Sequence, residues 1–75
     1  MVISNTWVEV ASAGCILQKS GTNTLMLAYA VAAPVTESTF SISHNLTQIF
    51  PAVAGKTLWA KSTEGDVNIS VEDLA

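Results

Sequence analysis

From Val67 to Glu72 the chain reads "VNISVE", with Val67, Ile69 and Val71 apolar and Asn68, Ser70 and Glu72 polar between them. A side-chain period of two belongs to a strand buried on one face. Upstream, turn signals recur before most apolar runs reach helical length: "SAG" at 12–14, "KSGTN" at 19–23, "AAP" at 32–34, "AVAGK" at 52–56 and "STEGD" at 62–66. The runs between them are rich in Val, Ile, Leu, Thr and aromatic residues, and this spacing predicts an all-β sandwich or small barrel. Strands are expected over Thr6–Ala11, Cys15–Gln18, Leu25–Ala32, Thr39–Ser43, Thr47–Phe50, Thr57–Lys61 and Val67–Glu72.

The segment from Leu25 is apolar on both sides. As a strand it puts Leu25, Leu27, Tyr29 and Val31 on one face and Met26, Ala28, Ala30 and Ala32 on the other. Its Leu, Met and Ala content also suits a helix, while its shortness and the neighbouring "SGTN" favour a strand. A strand dry on both faces is central in a sandwich or packed on another subunit.

The 75 residues amount to a single domain, 1–75, and a domain this short buries a small share of its surface. Cys15 is the one cysteine, so no disulfide can form within the chain, and His44 with Cys15 falls short of a four-ligand zinc site. Self-association is the remaining source of stability, and an isolated folded monomer is not expected at low micromolar concentration. Composition agrees: 49% of residues are hydrophobic and 12% charged, against about 25% charged in an average domain. Mean hydropathy is +0.43.

A net charge of −3 with three lysines, Lys19, Lys56 and Lys61, argues against nucleic acid as a partner. The longest apolar stretch, "LMLAYAVAAPV", is broken by Pro34 and is shorter than the about 20 residues of a spanning helix. No membrane insertion is expected. The N-terminal stretch lacks a basic segment and carries Glu9, unlike a secretory signal. Without such a signal the sequons at Asn45 and Asn68 read as chance matches.

Catalysis needs a nucleophile with a base, a carboxylate pair in a cleft, or a metal cluster, and no such pattern is visible. Cys15, beside Ile16 and Leu17, reads as a core thiol, and His44 as an exposed turn residue. Glu72 and Asp73 read as a solvated end of the chain, and the scattered glycines form no phosphate loop. No enzyme activity and no cofactor are expected. Trp7 and Trp59 are more informative, since aromatics fill cores, anchor interfaces and stack on sugars.

The order of features from Trp7 to Val71 resembles small virion proteins of tailed bacteriophages. The likeness lies in a Trp-containing first strand ("TWVEVAS"), a strand before a short glycine turn ("CILQKSG"), an apolar strand ending in Ala-Ala-Pro ("LAYAVAAP"), and the closing "FPAVAGKTLWAKSTEGDVNISV". The stretch "SISHNLTQIF" departs from it, since the resemblance leads one to expect a more glycine- or proline-rich turn there. The resemblance implies an antiparallel β-sandwich or jelly-roll-like barrel of about six to seven short strands, assembled as a homotrimer. It further implies a capsid decoration (cement) role on the capsid exterior, or a part in a head fibre or the tail, with the major capsid protein as partner of a decoration protein and synthesis in the host cytoplasm. The candidate subunit or capsid contacts are Met1, Val2, Ile3, Trp7, Met26 and Trp59, although Met1, Val2 and Ile3 are equally able to begin the first strand. The competing function is recognition of host-surface carbohydrate through Trp59, Tyr29 and polar loops.

Overall fold

Each apolar run between turn signals forms a strand. The computed structural model describes residues 1–35 and 37–74, which contain no helix. Their eight strands are β1 (Val2–Ile3), β2 (Val8–Ala11), β3 (Cys15–Ser20), β4 (Leu25–Ala30), β5 (Phe40–Ile42), β6 (Leu46–Phe50), β7 (Thr57–Ser62) and β8 (Val67–Asp73). They make two four-stranded antiparallel sheets: sheet A in the order β1-β8-β3-β6, and sheet B in the order β2-β7-β4-β5.

Only β4 and β5 are both consecutive in the chain and paired; every other connection crosses from one sheet to the other. Gly55, at φ 76°, turns one crossing, with the Lys56 amide donating to the Val53 carbonyl at 3.0 Å. A residue in this left-handed region is most easily a glycine.

The core lies between the sheets. Sheet A supplies Ile3, Cys15, Leu17, Phe50, Val67 and Ile69, and sheet B supplies Ala11, Leu25, Leu27, Ile42, Leu58 and Ala60. Val67 and Ile69 are buried, Val71 packs against the core, and Asn68 and Ser70 are exposed, as the alternation predicts. The segment from Leu25 is a strand, and its inner face is Leu25, Leu27 and Tyr29.

Four expectations are corrected. There are eight strands rather than six or seven, because Val2–Ile3 pairs with Asn68 and Val67 and is too short to show a period. The first long strand begins at Val8 rather than Thr6 and carries a bulge between Glu9 and Ala11. β4 stops at Ala30 rather than Ala32, because its partner β7 runs out at Thr57. Lys19, placed by sequence in the turn "KSGTN", continues β3 between Leu46 and Ile69 and is 1% exposed. Its ammonium donates to the carbonyls of Gly21 at 2.7 Å and His44 at 3.3 Å, partners that a buried charge requires.

The same end of the sandwich is tied by further bonds. The Asn45 side-chain oxygen accepts from the Gly21 amide at 2.7 Å, and a Glu64 carboxylate oxygen accepts from the Thr24 amide at 2.8 Å. Ser62, buried at the end of β7, donates its hydroxyl proton to the Gly65 carbonyl and organises the last turn.

The inner stripe of β8 is therefore the most direct test of the register. Ile69→Asp places a carboxylate in the core and is expected to abolish folding. Asn68→Asp changes the exposed face and is expected to cost less than about 0.5 kcal/mol. Circular dichroism and chemical denaturation of the two variants check both outcomes.

Candidate functional site

The register that turns Leu25, Leu27, Leu58 and Ala60 inward turns a second set of residues outward from sheet B. On that outer face Trp59 sits between Glu9 and Ala28, and Lys61 lies beside Met26, which in turn faces Ser41. Trp7, just before β2, joins them: the Lys61 ammonium lies 5.3 Å from its ring centroid. This cation–π contact holds the Trp7 ring against the sheet and contributes about 0.5–1 kcal/mol at an exposed site.

The Trp59 indole lies along β4, with its Nε1–H donating to the Ala30 carbonyl at 3.2 Å. Ala28 and Ala30 are fully buried although they lie on the outer side. Small side chains there leave room for the Trp59 side chain beside β4. Trp7, Met26 and Trp59 are each half-buried, and none belongs to the core cluster. Three of the six candidate contact residues thus converge on one apolar platform, with Glu9 and Lys61 as its charged members.

The other three lie elsewhere. Ile3 is fully buried in the core, because it pairs with inward-facing Val67. Val2 is exposed on the outer side of sheet A opposite Asn68. Met1 is exposed at the end of that sheet, with its ammonium donating to the Ile69 carbonyl at 3.0 Å and its own carbonyl accepting from the Ile69 amide at 2.9 Å. Tyr29 is half-buried against the core and donates to the Pro51 carbonyl at 2.7 Å, so it does not share a face with Trp59.

Cys15 and His44 do not meet. Cys15 is buried beside Phe50, while His44 is exposed and precedes Leu46, which pairs with Lys19. Four strand residues, about 13 Å, separate the two levels. Among the described residues no group of three or more His, Cys, Asp or Glu side chains is placed to hold a metal ion, and no helix is long and apolar enough to cross a membrane.

Glu9 and Lys61 are the platform residues that sequence reasoning missed. The alternation within "TLWAKS" carried the signal for Lys61: Leu58, Ala60 and Ser62 form one face, and Thr57, Trp59 and Lys61 the other.

Burial pushes the Cys15 thiol above its usual range, and the Asp73 carboxylate adds to the effect. The Tyr29 phenol is pushed up by burial and then by charge on Cys15. Both groups lose their protons more readily in the unfolded chain, so their contribution is complete at neutral pH. It is lost as pH rises above the ordinary thiol value of 9.0 and then the phenol value of 10.0. Chemical denaturation is expected to show falling stability over this alkaline window, and Cys15→Ala is expected to remove the earlier part of the decline. Thiol labelling of the native chain should be slow, and fast in denaturant.

No protein-family model, curated protein sequence or solved structure matches this chain, and the outer face of sheet B is the feature on which a functional reading rests.

Proposed function

We propose that this chain is a structural virion protein of a tailed bacteriophage, a capsid decoration protein that docks on the outer capsid surface through the outer face of sheet B. The observation that carries this reading is the convergence of Trp7, Met26 and Trp59 outside the core. Aromatic residues and Met are enriched at protein–protein contacts, and buried contact cores are depleted of charge. Trp7, Met26 and Trp59 have this character, with Glu9 and Lys61 as charged neighbours, and the partner, the major capsid protein, comes from the sequence resemblance.

Such a protein works as a surface. The stiff double sheet presents the two indoles in fixed positions, so little side-chain freedom is lost on docking. Copy number, three by the resemblance, is measurable by sedimentation equilibrium.

A second reading, binding of host-surface carbohydrate, is favoured by Trp7 and Trp59, both half-buried on one outer face, since an indole suits stacking on a sugar ring. Tyr29 has no part in it, because it points to the other side of the sheet.

Trp7→Ala lies outside the core and is expected to leave circular dichroism unchanged. Its retention on purified particles should fall about thirtyfold or more, the behaviour of an interface hot spot worth roughly 2 kcal/mol. Unchanged retention, together with glycan binding that Trp7→Ala abolishes, overturns the capsid reading in favour of the second.

A further inference from the structure

Three of the four sheet edges are blunted. β1 is two residues long, β5 is three, and β2 is interrupted by its bulge, all devices that discourage strand addition. The edge strand β6 has none of them. Leu46–Phe50 pairs with β3 in unbroken register, and no strand among the described residues pairs with its other side. The strand reads "LTQIF", without charge, Gly or Pro, and Thr47, Gln48 and Ile49 are exposed. Its outward N–H and C=O groups need partners, which water or a further strand supplies.

We infer that β6 is a self-pairing edge, joining β6 of a second copy antiparallel about a two-fold axis through Gln48. In that register Gln48 faces its own counterpart, Thr47 faces Ile49, and Leu46 faces Phe50. Each pair shares a face of the sheet, since Leu46 and Phe50 lie on the inner side opposite Lys19 and Cys15, and Thr47 and Ile49 lie on the outer side. Two chains of net charge −3 approach here without like charges meeting, because the strand carries none.

Exposed apolar surface gathers at the same edge. Ile49 is 61% exposed, and Phe40 of the neighbouring edge strand β5 is 39% exposed while stacking on Phe50 at 5.9 Å. Pairing covers these side chains and joins two copies of sheet A into one eight-stranded sheet. The contact is isologous and gives an even number of copies, where the resemblance implies three. It stands independently of the capsid reading, being a property of the isolated chain rather than of particle retention.

The experiment is a charge exchange at the axis. Wild-type protein is expected to sediment at twice the 7.9 kDa chain mass. Gln48→Lys and Gln48→Glu, each alone, set like charges against each other and should weaken association about tenfold or more. An equal mixture of the two should restore it, and Gln48→Ala should associate as wild type, because the backbone makes the contact. In the wild-type chain, amide exchange across Leu46–Phe50 should slow as concentration rises, while that of β1 and β2 does not change. A monomer at every concentration, a trimer, charged variants that associate like wild type, a mixture that stays apart, or concentration-independent exchange in β6 would each overturn the inference.

Discussion

The contact between the two sheets is the constraint on which everything else in this molecule depends. Sheets pack about 10 Å apart, and here the gap is filled by Leu, Ile, Val, Ala, Cys and a single core Phe. A chain of 75 residues makes only one such layer. Leu17 and Leu27, both fully buried, are near the largest side chains that it accepts away from its ends. The two indoles are therefore outside, and the apolar platform on sheet B follows from the thinness of the core.

The same constraint explains the treatment of the ends. Where the layer stops, polar groups take over: Lys19 bonds two loop carbonyls, Asn45 and Glu64 hold neighbouring amides, and Tyr29 reaches Pro51 at the other end. These bonds satisfy backbone groups that the sheets leave over. They also link loops distant in the chain: the connection between β3 and β4 is tied to that between β5 and β6 through Gly21, His44 and Asn45, and to that between β7 and β8 through Thr24 and Glu64. Only one pair of adjacent strands is also a pair of chain neighbours, so the sandwich closes by long-range contacts, the slow kind to form.

On the reading proposed for it, the scaffold acts through its surfaces. The platform of Trp7, Met26 and Trp59 is held by local chemistry, a cation–π contact and an indole hydrogen bond. The edge at β6 offers backbone hydrogen bonds. The two lie on different sheets, so one can meet a foreign surface while the other meets a second copy.

Much of this was legible in the amino-acid order, and the rest has a common physical cause. The period of two in "VNISVE" determined that Val67, Ile69 and Val71 share the buried face, and the turn residues determined where most strands end, because both are local properties of the backbone. The segment from Leu25 was ambiguous because both its faces are apolar. Only the tertiary structure decided that Leu27 enters the core while Ala28 is buried on the other side of the sheet, opposite Trp59. The burial of Lys19 was equally invisible, since its carbonyl partner at His44 lies far along the chain. The split of Ile3 from Val2, Trp7 from the core and Tyr29 from Trp59 depends on which strand pairs with which. Pairing is set by the sum of contacts across the sheet interface, and no stretch of sequence contains that sum.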